Sequence, residues 1–331
     1  MALCSSVLLN TDTLGEGAIS LVSQSGALMV SIFDRAKTDG IGLRYGISLG
    51  NQCDLEICDF VEYMAQEQET KAICLYVEGL VDGARFRAAA AQCRKADKPL
   101  FCVKTGRTAA GVVSARSHTA SLAGSFEAFT AVCREEGVVL AIDPDDMVRA
   151  AHLLVKHPAR RRGGVGVLSG SGGGAGIASD RVTEAGMRLA VPGPATVAAL
   201  QEMLLPPQAR NPIDLGGRLQ PETVEIAGEA ARILFADADV AYGLAVLTSM
   251  PSYAKRAGMI ASASRDCGKP VAVVVTPGTA ADPAREAVRD ARVLCFDRFE
   301  DALRVIQLIA AYDARREVHS AAPLRAARLP D

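Results

Sequence analysis

The sequence has no tryptophan, and only 5% of its 331 residues are aromatic. Glycine, alanine and valine are abundant instead, a composition suited to helices packed closely on parallel strands with glycine-rich turns. Charge of one sign is also missing. A net charge of −2 offers no general basic surface, which argues against nucleic acid and anionic membrane as partners and for a small molecule. The longest apolar runs are of strand length, and the first residues lack the basic start and apolar core of a secretory signal. A cytoplasmic protein without a membrane span is expected. The nine cysteines (Cys4, Cys53, Cys58, Cys74, Cys93, Cys102, Cys133, Cys267 and Cys295) form no CxxC pair. Several sit in apolar runs such as AICLYV and LFCVK, so they read as small buried hydrophobes of a reducing compartment, and no metal site is expected.

What is present is a regular alternation. After an irregular leader (1–16), apolar strand-like runs and amphipathic stretches alternate about five times over residues 18–157, which predicts an open, doubly wound parallel sheet. The segment HPARRRGG breaks both periodicities and reads as a solvated linker. A second alternation follows and ends near residue 312. The expected domains are therefore 17–158 and 159–315, with a fraying polar tail at 316–331. Each half opens alike, on a strand, a Ser/Gly turn and a helix: SLVSQSGALMVSIFDRA in the first, GVLSGSGGGAGIASDRV in the second. The Pro- and Gly-rich segment LPPQARNPIDLGGRLQP is a long loop of the kind that often carries function.

The two Ser/Gly turns carry the first chemical hint. A helix N-terminus exposes unpaired N–H groups and partial positive charge, and small residues let an anion approach it. Ser23, Ser25, Gly26 and Ala27 form one candidate phosphate site; Ser171, Gly172, Gly173 and Gly174 form the other. Neither turn ends in the Lys-Ser/Thr of a P-loop, and SGSGGGAG is only a loose variant of GxGxxG. Glycine turns of this kind also occur for purely structural reasons. The second hint is His118, in the small-residue loop of KTGRTAAGVVSARSHTASLAGS, between Ser117 and Thr119. A lone loop histidine is as a rule solvated, but here small neighbours would let a phosphate-sized group reach the ring.

The segments SLVSQSGAL, ISLGNQCDL, LYVEGLVDGARF, KTGRTAAG with SHTASLAGS, SGSGGGAG and NPIDL, in this order, resemble the acyl-CoA synthetases (NDP-forming), which include ADP-forming acetate–CoA ligases and are related to succinyl-CoA synthetase. The resemblance spans residues 17–312 and implies two flavodoxin-like α/β domains of the succinyl-CoA synthetase kind. It implies the reaction acid + CoA + ATP ⇌ acyl-CoA + ADP + phosphate through an acyl phosphate and a phosphohistidine. By the same resemblance His118 is the phosphorylated residue, Glu78 in VEG holds its ring, and the two helix N-termini hold the phosphate between them. Taken alone, Glu78 could equally be a surface residue at a strand end. Asn51, Asp54, Asn211 and Asp214 match polar family positions; read locally instead, Asp54 is a candidate helix cap and Asn211 a turn former before Pro212. Lys104 and Arg107 flank the histidine loop, either as phosphate ligands or as exposed cations. His152, His157 and His319 match no motif and read as structural or solvated.

The complete enzymes of the family also have a CoA-binding Rossmann domain and an ATP-grasp module, fused or on another subunit. Neither is recognised in this sequence. The expectation is a fragment or a subunit of a homo- or hetero-oligomer. It would bind phosphate and an acid or acyl-CoA substrate, hold no permanent cofactor, and meet coenzyme A and Mg-ATP/ADP through other domains. The rival readings are a non-catalytic scaffold or regulatory module of the same fold and a generic dinucleotide-binding oxidoreductase.

Overall fold

The computed structural model describes residues 15–113, 125–216, 222–248 and 250–321. The chain divides into two compact units, one formed by residues 1–37, 41–155 and 308–331, the other by 38–40 and 156–307.

The first unit contains β1 (Glu16–Ser23), α1 (Gly26–Thr38), β2 (Leu43–Ser48), α2 (Ile57–Gln66), β3 (Ala72–Val77), α3 (Gly83–Lys95), β4 (Leu100–Lys104), α4 (Phe126–Glu136), β5 (Val139–Ala141) and α5 (Pro144–Lys156). Its strands are parallel, in the order β2-β1-β3-β4-β5. The chain order explains the burial. β4 is buried at every residue and β3 at all but Tyr76, as strands covered on both faces must be, whereas the edge strand β2 alternates between partly covered and exposed residues. α2 turns Ile57, Cys58, Val61, Met64 and Ala65 to the core, the spacing of a single helical stripe. Phe86 of α3 stacks on Phe129 of α4 at 5.3 Å between ring centres, so the helices are locked to one another as well as to the sheet.

The second unit contains β6 (Gly164–Ser169), α6 (Gly172–Glu184), α7 (Pro194–Gln201), β7 (Ile213–Asp214), α8 (Glu222–Ala236), β8 (Val240–Leu247), α9 (Ala254–Asp266), β9 (Val271–Val275), α10 (Asp282–Asp290) and β10 (Cys295–Phe296). Its sheet is also parallel, in the order β10-β9-β8-β6-β7. Counted from its own first strand this is 2-1-3-4-5 again, the flavodoxin-like order. The expected fold class, two doubly wound α/β domains, is what the structure has.

The last helix, α11 (Phe299–Ala321), begins in the second unit and ends in the first. It runs past residue 312, where the sequence pattern fades, because its later turns are anchored: Tyr312 is buried and faces Phe101 at 6.5 Å, and Arg316 lies over the Tyr312 ring and pairs with Asp97. Of the fraying polar tail expected at 316–331, residues 316–321 are instead the end of this helix. The short strand expected at 188–191 is reduced to a single bridge, Leu189 with Val165. The eight cysteines among the described residues are all free, and burial pushes the Cys58, Cys93 and Cys133 thiols up to about 12, which keeps them protonated. Among the described residues no helix is long and apolar enough to cross a membrane.

Candidate functional site

In a doubly wound sheet, ligands gather beyond the strand ends where neighbouring strands depart in opposite directions. That point lies between β1 and β3 in the first unit and between β6 and β8 in the second. Both are occupied by the Ser/Gly turns.

The helices begin inside these turns, at Gly26 and Gly172, earlier than the glycines suggest from sequence. The reason is the same pair of serines in each. The Ser23 hydroxyl, fully buried at the end of β1, accepts from the Ser25 N–H at 3.1 Å and donates to the Ser25 carbonyl at 2.8 Å. The Ser25 hydroxyl accepts from the Leu28 N–H at 3.3 Å. In the second unit the buried Ser169 hydroxyl accepts from the Ser171 N–H at 3.2 Å and donates to the Ser171 carbonyl at 2.8 Å, while Ser171 accepts from the Gly174 N–H at 3.1 Å. Each helix is thus capped by its own side chain, and the exposed Gly26 and Ala27, or Gly172 and Gly173, occupy its first turn. Ser169 is a site residue that sequence reasoning missed. The signal was there, a repeated Ser-x-Ser-Gly at the same place in both halves.

Glu78 stands half-buried just beyond the end of β3, beside the β1–α1 turn. Its N–H donates to Gln24 Oε1 at 2.5 Å, and the following N–H, of Gly79, donates to the same oxygen at 3.0 Å. Gln24 Nε2 donates to the Gly79 carbonyl at 2.8 Å. From the other side Lys104 Nζ donates to the Glu78 carbonyl at 2.7 Å and to the Thr105 carbonyl at 2.7 Å. Lys104 is therefore buried rather than displayed at the strand exit. Burial pulls its proton affinity down, while the nearby Cys102 and Glu78 act against that pull. The Tyr76 phenol is pushed up by burial and by the charge of Glu78. Arg107 places its guanidinium over the Phe126 ring, 5.6 Å from its centre; with Lys104, Thr130 and Ile142 they line a cavity of about 200 Å³.

Asn51 and Asp54 are exposed on the loop after β2. Asp54 does not cap α2. The chain turns through Gln52 in the left-handed region, φ 55°, and the helix starts two residues later than expected. Gln52 Oε1 accepts from the Ile57 N–H at 2.9 Å and Asp59 accepts from the Glu56 N–H at 2.8 Å. Asn211 spends its side chain on backbone. It accepts from Val167 N–H at 2.7 Å and donates to the Val165 and Ala190 carbonyls, each at 2.8 Å. Asp214 pairs in register with Ser169, accepts from the Gly216 N–H at 2.8 Å, and lies against Gly172. His118, Ser117 and Thr119 lie outside the described residues. Among the residues described, the structure brings together Ser23, Ser25, Gly26, Ala27 and Glu78 in the first unit, and Ser171, Gly172, Gly173, Gly174 and Asp214 in the second.

Fold and site together define a class: paired doubly wound domains with a serine-capped helix N-terminus at each switch point. Residues 16–154 match the family described as the succinyl-CoA ligase-like flavodoxin domain. Over this stretch the chain is similar to that family, and the relatives it matches include ADP-forming acetate–CoA ligases. Acetate–CoA ligase (ADP-forming) I of Archaeoglobus fulgidus is 32% identical over 300 residues, covering 90% of this chain and 42% of the relative. The alpha subunit of acetate–CoA ligase (ADP-forming) II of Pyrococcus furiosus is 32% identical over 294 residues, covering 86% and 63%. The chain thus spans between about two fifths and two thirds of the length of these relatives. A solved structure of dinucleotide-forming acetyl-coenzyme A synthetase 1 from Ca. Korarchaeum cryptofilum, in complex with phosphate and ADP, shares the fold with a TM-score of 0.81 at 24% identity, covering 95% of this chain and 68% of that one.

Proposed function

We propose that the chain performs the phosphoryl relay of an ADP-forming acid–CoA ligase, with His118 as carrier. The observation that supports this most is the matched pair of serine-capped helix N-termini, one at the switch point of each unit, since each is suited to an oxyanion and neither carries a dinucleotide fingerprint. Read in the direction of ATP synthesis, a phosphate oxygen attacks the thioester carbonyl, the C–S bond breaks and the coenzyme A thiolate leaves, giving an acyl phosphate. One imidazole nitrogen of His118 then attacks phosphorus, and the P–O bond to the acyl group breaks with the carboxylate as leaving group. Finally a terminal oxygen of ADP takes the phosphoryl group as the P–N bond breaks.

The work asked of the protein is placement and charge stabilisation. The N–H groups of the first turn of α1, and separately those of the first turn of α6, would each receive phosphate or phosphoryl oxygens in the course of the relay. Glu78 would accept the N–H of the imidazole, fixing the tautomer and leaving the other nitrogen to attack. Coenzyme A and Mg-nucleotide are substrates brought by a Rossmann domain and an ATP-grasp module, fused or on a partner subunit, in an oligomeric enzyme. The free, largely buried thiols are those of a reducing compartment, and we assign the protein to the cytoplasm.

The test is phosphorylation with γ-labelled ATP in the presence of a relative's nucleotide module. The expected result is an acid-labile, base-stable label on the wild type and none on His118→Ala. No label on the wild type, with the module active on its own partner, would favour a non-catalytic scaffold.

A further inference from the structure

Five side-chain hydrogen bonds converge where β3 ends, and the sequence gives no reason to expect them. Beyond Val77 the chain leaves the sheet, so no ladder fixes the Glu78 and Gly79 peptides. Gln24, only 7% exposed, replaces that ladder: its amide oxygen takes two successive N–H groups and its amide nitrogen serves the Gly79 carbonyl. The assignment of oxygen and nitrogen is forced, because backbone N–H groups can meet only the oxygen and a carbonyl only the NH2. Lys104, 5% exposed, secures the Glu78 carbonyl and the Thr105 carbonyl from the neighbouring strand.

Burying an ammonium and a primary amide is costly unless both are hydrogen-bonded, so a fold that needed only filling would use apolar side chains here. Both residues act on one peptide, that of the proposed histidine-holding carboxylate. We infer that Gln24 and Lys104 are positioning residues that set the place and direction of the Glu78 carboxylate for the phosphoryl relay. This rests on the function proposed above. Neither residue is asked to touch the phosphoryl group. Their effect passes through Glu78, and that makes it separable from a purely structural role.

The experiment is the labelling reaction on the full chain with the nucleotide module, measuring the rate constant and the half-saturating ATP for Gln24→Met, Lys104→Met, Lys104→Arg, Glu78→Gln and the double variant Glu78→Gln/Gln24→Met. Displacing a catalytic group by about 1 Å is worth on the order of 100-fold in rate. The rate constants of Gln24→Met and Lys104→Met should fall by roughly 10- to 100-fold with half-saturating ATP unchanged. Lys104→Arg, which can donate to the same two carbonyls, should recover most of the loss. In the Glu78→Gln background Gln24→Met should cost little more, because contributions made through one residue do not add. Where Gln24→Met does not fold, Gln24→Glu keeps the acceptor oxygens without the amide donor and should show a smaller loss of the same kind. Variants labelled at the wild-type rate, or a Gln24→Met loss undiminished when Glu78 is already glutamine, overturn the inference while leaving the proposed function standing. An unlabelled wild type overturns both.

Discussion

The two switch points are built from the same serines and differ in one residue. In the first unit the turn reads Ser23-Gln24-Ser25-Gly26, in the second Ser169-Gly170-Ser171-Gly172, and the four serines make the same bonds in both. Gln24 fills the gap toward the neighbouring strand with an amide that fastens Glu78. At Gly170 the gap is closed by the Tyr253 ring, which would lie 3.3 Å from a Cβ there, with the Arg256 guanidinium stacked on it at 4.9 Å. The strand-end serine is therefore the architectural part of the device, and the residue after it decides what the switch point offers. One half presents a held carboxylate; the other presents a helix start with Asp214 beside it.

Forcing the first turn's residue on the second should break this comparison most. Gly170→Gln should destabilise the protein by about 1–3 kcal/mol as the side chain meets Tyr253, read as a lower urea midpoint; an unchanged midpoint would mean the ring is not a fixed wall. Ser23→Ala and Ser169→Ala test the shared part. Each strips away a buried hydroxyl that accepts from the N–H and donates to the carbonyl of the serine two residues on, and should cost about 1–3 kcal/mol, by like amounts in the two units. A smaller and opposite effect is expected one step along α6. Gly173→Ala has no atom within 4 Å of its new Cβ and should raise stability by up to about 1 kcal/mol, whereas Gly174 leaves only 2.6 Å to the Ser169 hydroxyl and tolerates no such change. The last effect is one of pH. Burial, reinforced by Arg161, pushes His157 in the second unit down to about 4 from 6.5. The unfolded chain takes the proton first, so the stability tied to the neutral ring is fully present above about pH 6.5 and is lost as pH falls toward 4. His157→Gln should flatten the urea midpoint over that window, and an unaltered pH profile would remove the residue from the account.

The alternation of apolar runs and amphipathic stretches was enough to place nearly every strand and helix, because strands buried on both faces leave a continuous signal. What it missed was settled by side chains reaching across the chain. Glycines 172 to 174 look like a turn by propensity, yet Ser171 caps them into a helix. Asp54 has the right chemistry for a cap, but the left-handed turn at Gln52 moves the helix start past it. Gln24 and Lys104 belong to no motif; their meaning appears only when β1, β3 and β4 are laid side by side and both are seen to end on the Glu78–Gly79 peptide. Tyr312 marked the end of a pattern in sequence and is an anchor in the fold.

The central claim is that the helix N-terminus at each switch point is an oxyanion site of the proposed relay, and equivalent charges placed on the two test it most directly. Ala27→Asp and Gly173→Asp put a carboxylate on the exposed second position of α1 and of α6. There an acid suits the helix dipole, and it opposes an incoming anion. The account predicts that each variant keeps its urea midpoint and loses the labelling rate on the order of 10- to 100-fold, in line with the loss of a donor at a developing anion. Retention of the wild-type rate by either variant would contradict it for the helix that carries the substitution.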